Sequence, residues 1–149
     1  MFNDFFKRLA SSAPHQLPAL DARLALGALL VRVAKADHAY VFLEIARIDR
    51  LLGLRYGLNP VEAAKLRATC EAIEAEAPDT VRFTRAIKEA VPYEDRRSVI
   101  EALWEIVLAD GVRDAEEDAL LRMIAPLLGV EDQDSALIRQ RVEARLSKA

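Results

Sequence analysis

The apolar residues of this chain recur every three or four positions, which is the pattern of amphipathic helices. From Leu20 to Asp37, for example, Leu26, Leu30 and Val33 follow one face of a helix. No segment shows the strict alternation expected of a strand, so we predict an all-α bundle of seven or eight helices. Seven of the predicted helices cover Leu20–Asp37, Val41–Tyr56, Pro60–Glu76, Thr80–Ala90, Tyr93–Asp110, Ala115–Leu128 and Asp132–Leu146.

Glycine, proline and asparagine residues mark where these helices begin and end. Gly57 and Gly129 follow apolar runs and are expected to end helices, since glycine readily adopts the left-handed conformation of a C-cap. The stretch Asn59–Glu62 is typical of a capped helix start, with asparagine as N-cap, proline next and a glutamate that reaches back. The stretch Pro78–Thr80 is expected to break the chain and cap the following helix.

One short stretch of the sequence, called the repeated phrase below, occurs in two similar copies. The stretch Lys35–Glu44 (KADHAYVFLE) is followed 73 positions later by Leu108–Glu117 (LADGVRDAEE), and in each an aspartate precedes a glutamate by seven positions. The same offset pairs further identical residues: Leu30 with Leu103, Ala36 with Ala109, Ala46 with Ala119 and Leu54 with Leu127. We therefore predict two pseudo-symmetric three-helix units that pack about a pseudo-two-fold axis.

The 149 residues are expected to form a single domain. Residues 1–18 would hold an N-terminal helix and a connector, residues 20–76 the first unit, residues 78–91 a linking helix and residues 93–147 the second unit. An apolar fraction of 52%, with only five glycines and six prolines, favours a folded helical protein over a disordered one.

The net charge and the cysteine content bear on which ligands and which cellular location are expected for this chain. A net charge of −3 gives no basic footprint for nucleic acid. The one cysteine, Cys70, has no partner for an internal disulfide, so we predict a reducing, cytoplasmic location and an inert thiol. No stretch has the apolar length of a membrane span. The N-terminal Phe2, Phe5 and Phe6 would suit a peripheral contact with a membrane or a partner, or docking on the domain itself.

Four acidic residues fall on the apolar side of their predicted helices: Asp37, Glu44, Asp110 and Glu117. Acids at inward-facing positions need partners, and carboxylates that converge must share protons, pair with arginine or bind a cation. With Asp114 they would form an oxygen-rich site for a hard divalent cation, namely calcium, magnesium or manganese. Zinc is less suited, although His38 could add one nitrogen.

Helix capping is the alternative explanation for the same acids. Asp114 would cap the helix that follows it, with Glu117 completing a capping box. Acids in a first helical turn also interact favourably with the helix dipole. The chain would then be a protein–protein interaction domain for a partner not identified by its sequence. The spacing of the second phrase differs from that of an EF-hand, because the alternating oxygen ligands are missing.

An enzyme is the least favoured interpretation. The chain has no glycine-rich phosphate loop, no paired histidine motif and no serine nucleophile elbow. A bundle oxidase or hydrolase with two metals would need Glu-x-x-His pairs, which are absent. We therefore predict a binding module without catalytic residues.

The two halves resemble the TerB-like tellurite-resistance family, which is related to the N-terminal domain of the co-chaperone DjlA. The resemblance rests on ALLVRVAKAD at Ala28–Asp37 and on ALWEIVLADGVRDAEEDALL at Ala102–Leu121. The stretch Glu74–Arg96 is similar to the short stand-alone bacterial branch, and the likeness covers about Leu20–Val142.

This resemblance implies a helical bundle with internal pseudo-symmetry and an acidic, metal-associated surface. It also implies a cytoplasmic protein linked to tellurite or chemical-stress response, in complexes near the membrane. Asp110, Asp114 and Glu117 match the pattern of the second half. In the first half, His38 stands where the family has glycine and Val41 where it has an acid, which predicts a weaker first half-site.

Overall fold

In the computed structural model, seven helices account for most of residues 21–36, 40, 42–77, 79–108 and 115–147, which are the residues that the structure describes. The helices are α1 (Ala22–Ala34), α2 (Phe42–Tyr56), α3 (Pro60–Glu76), α4 (Val81–Ala90), α5 (Tyr93–Val107), α6 (Ala115–Leu127) and α7 (Asp132–Ser147). The described residues include no strand, so the predicted all-α class is confirmed. The predicted N-terminal helix lies outside the described ranges.

Helix α1 is the centre of the bundle. It contacts five other helices, α2 through α6, and its residues from Leu24 to Ala34 are buried except for Arg32. A helix that is apolar on every side is expected in the middle of a core. Around it lie the large buried side chains Phe83 of α4 and Trp104 of α5. This arrangement explains why α1 has no polar face along its middle turns.

The helix pairings of the first unit correspond to those of the second. Helices α1, α2 and α3 all contact one another, and so do α5, α6 and α7. Between the units α1 contacts α5, and the two cross pairs α1 with α6 and α2 with α5 are both present. Helix α4 links the units through contacts with α1, α5 and α6. Exchanging α1–α3 with α5–α7 therefore preserves the contacts within and between the units.

The two units also end their middle helices in the same way. Gly57 after α2 has a φ of 65° and Gly129 after α6 has a φ of 73°, as the sequence pattern predicts. The next residue donates its backbone N–H back into the helix, from Leu58 to the carbonyl of Gly53 and from Val130 to the carbonyl of Ala125, both at 2.9 Å. This is the Schellman arrangement, which satisfies carbonyl groups at a helix end.

Alanine substitutions at the two glycines should have unequal effects. Gly57→Ala is expected to lower the free energy of unfolding by about 1–2 kcal/mol, the cost of a left-handed L-residue. Gly129→Ala should cost more, because its Cβ would lie 3.0 Å from Nη1 of Arg96, which donates to the carbonyl of Leu128 at 2.8 Å. Urea unfolding of both variants tests this order. Gly57→Asn is the control and should lose less than Gly57→Ala.

The starts of α3 and α4 are capped by different residue types. Asn59 accepts a hydrogen bond from the N–H of Glu62 at 2.8 Å, and the Glu62 side chain accepts from the N–H of Asn59 at 3.0 Å. The predicted capping box is therefore present. At α4 the Asp79 side chain accepts from the N–H of Val81 at 3.1 Å, while Thr80 forms no side-chain cap. None of the described helices combines the length and the apolar character needed to cross a membrane.

Candidate functional site

Two of the five predicted ligand residues lie within the described ranges, and both are buried. Glu44 in the first turn of α2 is 6% exposed, and Glu117 in the first turn of α6 is 4% exposed. These helices occupy corresponding places in the two units. The apolar stripe predicted that both glutamates face inward, and their burial confirms that orientation. Their role as ligands stays a prediction.

Asp37, Asp110 and Asp114 lie outside the described residues, as does His38. Among the described residues no group of three or more histidine, cysteine, aspartate or glutamate side chains could hold a metal ion. A site built only from described side chains would therefore have at most two such ligands. A cation bound by Glu44 or Glu117 would need oxygen ligands besides these two side chains.

Tyr40 is a described residue of the connection between α1 and α2, four positions before Glu44, and its hydroxyl lies near Glu71 of α3. It is partly buried against the core. Burial, followed by the nearby carboxylate of Glu71, raises the pKa of its hydroxyl. Arg67 lies between acids of two helices, since its Nε donates to Asp49 at 2.6 Å and its Nη1 to Glu71 at 3.1 Å. Tyr40 therefore lies close to a compensated group of charges on α2 and α3.

A buried ion cluster near the end of α1 was not predicted from the sequence. Glu74 of α3 is 8% exposed and accepts from Nε of Arg32 at 3.1 Å and from Nζ of Lys35 at 2.8 Å. Arg32 also donates to the backbone carbonyls of Glu74 at 3.0 Å and Ala77 at 2.7 Å, and lies over the ring of Phe83. The available signal was an arginine inside the apolar run of α1.

The contacts of this ion cluster indicate that it stabilises the fold. Arg32 satisfies carbonyl groups at the C-terminal end of α3, which a helix end otherwise leaves without intrahelical partners. The buried carboxylate of Glu74 has a cation on each side, as a buried charge requires. The cluster joins α1, α3 and the start of α4, and each carboxylate oxygen of Glu74 accepts a hydrogen bond from a cationic side chain.

Cys70 has the character of an inert core thiol. It is fully buried on α3, and its Sγ would lie 2.2 Å from a Cβ placed on Gly27 of α1. Burial raises the pKa of the Cys70 thiol to about 12, so the reactive thiolate is rare at neutral pH. The thiol fills the space between α1 and α3 at Gly27.

Each unit has an open groove beside its middle helix. The first groove, of about 450 Å³, lies between α2 and α3 and includes Asp49, Gly53 and Ala63. The second, of about 380 Å³, lies between α6 and α7 over Trp104 of α5, and includes Arg122 and Arg139. The two grooves occupy corresponding places but carry different charges, and the sequence interpretation identified neither of them.

Comparison with known proteins identifies the family. The family model described as tellurite resistance protein TerB matches residues 23–140. No curated protein matches the chain, and no solved structure does. The matched range includes helices α2 to α6 in full, α1 except for its first residue, the first half of α7 and both copies of the repeated phrase. The chain belongs to the TerB family of tellurite resistance proteins.

Proposed function

We propose that this chain is a non-enzymatic, cytoplasmic binding module whose acidic residues hold a divalent cation. The observation that supports it most is the burial of Glu44 and Glu117 at corresponding helix starts, next to segments that carry Asp37, Asp110 and Asp114. Inward-facing carboxylates at two corresponding helix starts provide oxygen ligands, which bind the hard cations calcium, magnesium and manganese in preference to zinc. Family membership supports a link to tellurite or chemical-stress response.

The proposed site takes its oxygen ligands from both units. Glu117, Asp110 and Asp114 would supply the larger share, because the first unit has Val41 where the second has Asp114. Glu44 and Asp37 would complete the site if the pseudo-two-fold axis brings the two helix starts together. An ion at this place would neutralise carboxylates that otherwise repel one another.

The ion should stabilise the folded chain measurably. A cation that binds only the folded form, at ~100 times its dissociation constant, should raise the free energy of unfolding by about 2.7 kcal/mol. The melting temperature should then rise by several degrees. Asp110→Asn should remove most of that rise, because the amide keeps an acceptor but loses the charge. Melting curves in chelator and in excess calcium, magnesium, manganese or zinc measure this.

Glu116→Gln is the matched control for this experiment. Glu116 is exposed and precedes Glu117, so its neutralisation removes the same charge without touching the proposed site. This variant should keep the full ion-dependent rise. If the wild-type chain melts at the same temperature with chelator and with every ion, the cation site is refuted.

The second candidate is a protein–protein interaction domain in a stress-response or chaperone assembly. Two observations favour it. Glu44 and Glu117 lie in first turns, where carboxylates interact favourably with the helix dipole. Phe42 and Leu43, directly before Glu44, are 83% and 53% exposed. In this case ions would leave the melting curves unchanged, and Asp114→Ala would cost about 0.5–2 kcal/mol in either buffer, as the loss of a cap does.

A further inference from the structure

The groove of the second unit carries an arginine where that of the first carries an aspartate. In the first unit Asp49 of α2 accepts from Nε of Arg67 of α3 at 2.6 Å. An offset of 73 residues places Arg122 where the first unit has Asp49, and an offset of 72 places Arg139 where it has Arg67. The second unit therefore has two arginines at positions where the first has an ion pair.

Arg67 and Arg139 each have a glutamate four positions further along the same helix, but the distance between the two charged groups is longer in the second unit. Arg67 donates from Nη1 to Glu71 at 3.1 Å, and the corresponding pair of Arg139 with Glu143 is separated by 3.6 Å at Nε. Nε of Arg139 is shielded from solvent and has no hydrogen-bond partner within the described ranges. Arg122 is exposed and forms no ion pair with any described residue. Among the described residues, the two arginines that line the groove thus have a single ion pair, the long one between Arg139 and Glu143.

Other groups around the groove favour an anion of limited size. The hydroxyl of Ser135 accepts from Nε1 of Trp104 at 3.3 Å, which leaves its own proton available for a ligand. Ser135 lies in the first turns of α7, a 16-residue helix whose N-terminal end carries a partial positive charge. Asp132 also lines the groove and reduces the positive potential, so binding should be weak and should depend on both arginines.

We infer that the groove between α6 and α7 binds a small oxyanion with phosphate chemistry, held by Arg122, Arg139 and Ser135. Guanidinium groups bind phosphate oxygens in a bidentate manner that a single point charge does not reproduce. A volume of about 380 Å³ admits free phosphate or the phosphate end of a small molecule. This site is separate from the proposed cation site and does not depend on it.

Fluorescence of the single tryptophan of the chain can measure anion binding in this groove. Trp104 lines this groove and lies under Arg139, 5.9 Å from its guanidinium carbon to the ring centroid. Titration with inorganic phosphate, and separately with glycerol 3-phosphate, should change Trp104 fluorescence in a saturable way. Chloride at matched ionic strength should not. Tighter binding of the ester would assign the groove to phosphorylated small molecules, and equal binding would assign it to the free ion; both outcomes support the site.

Two arginine variants decide whether the groove itself is responsible. Arg122→Asp recreates the arrangement of the first unit and should weaken phosphate binding by at least about ten-fold, since the internal carboxylate then occupies Arg139. Arg141→Asp changes the charge equally at an exposed position two residues beyond Arg139 on α7, and should stay within about two-fold of wild type. Equal losses in both variants, or no saturable response in the wild-type chain, would overturn the proposal.

Discussion

Replacing Arg32 with alanine is expected to lower the free energy of unfolding by about 3–5 kcal/mol, because it breaks a buried ion pair by removing one partner. Glu74 would keep only Lys35, whose side chain is 43% exposed and therefore compensates the buried carboxylate less well. The backbone carbonyls of Glu74 and Ala77 would also lose their donor. Since Lys35 retains one contact, we expect a loss near the lower end of this range. Urea unfolding monitored by circular dichroism measures it.

An exposed arginine with two acidic partners provides the control. Arg145 of α7 contacts Glu101 at 3.1 Å and Glu105, both on α5, and its side chain is 50% exposed. Arg145→Ala should cost about 1 kcal/mol or less, because solvent screens exposed ion pairs. Similar losses for the two variants would show that the buried cluster contributes no more than a surface pair. The double variant Arg32→Met with Glu74→Leu should recover much of the loss by removing both charges.

The helix boundaries could be read from the sequence because local residues determine them. The helix predicted at Val41–Tyr56 is found at Phe42–Tyr56, and the one predicted at Asp132–Leu146 is found at Asp132–Ser147. Gly57 ends the first of these through its own backbone conformation, without help from distant residues. The prediction for Leu20–Asp37 was too long within the described residues, because α1 ends at Ala34.

Charge pairing between helices could not be predicted in the same way. Arg32 and Glu74 are 42 residues apart, and their hydrogen bond follows from how α1 packs on α3. Periodicity places a residue on a face of its helix but does not identify the residue opposite. The inward orientation of Glu44 and Glu117 could be predicted because it depends only on their own helices. The ion they would bind depends on contacts between segments, which the periodicity of one helix does not specify.

The difference in charge between the two grooves could have been predicted from the sequence by aligning the two units. The exchange of Asp49 for Arg122 is visible in the repeat, but its meaning depends on Arg67 and Arg139. Only the packing of α2 on α3 shows that Asp49 and Arg67 meet at 2.6 Å. Aligning the two units therefore places Arg122 of the second at the position of Asp49 in the first. In the second unit, the proposed anion would take the place that the Asp49 carboxylate has in the first.

The second large effect is expected at Trp104, the aromatic side chain that lines the second groove. Trp104 is 2% exposed on α5, whereas the corresponding position of the first unit is the smaller Val31. Trp104→Ala should lower the free energy of unfolding by about 3–5 kcal/mol, because it removes a large buried ring and leaves a cavity between α5 and α7. Thermal or urea unfolding followed by circular dichroism measures the loss, since the variant has no tryptophan fluorescence.

Two further variants separate packing from hydrogen bonding at this place. Trp104→Phe keeps much of the apolar contact but removes the Nε1 donor to Ser135, and Ser135→Ala removes the acceptor from the other side. Each should cost less than Trp104→Ala, with about 1 kcal/mol for the hydrogen bond itself. Leu137→Ala, at a 49% exposed position of α7, should change stability by less than about 0.5 kcal/mol. A loss below about 1 kcal/mol in Trp104→Ala would mean that the ring does not fill the core between α5 and α7. The groove would then lack the rigid floor on which two guanidinium groups could hold an anion.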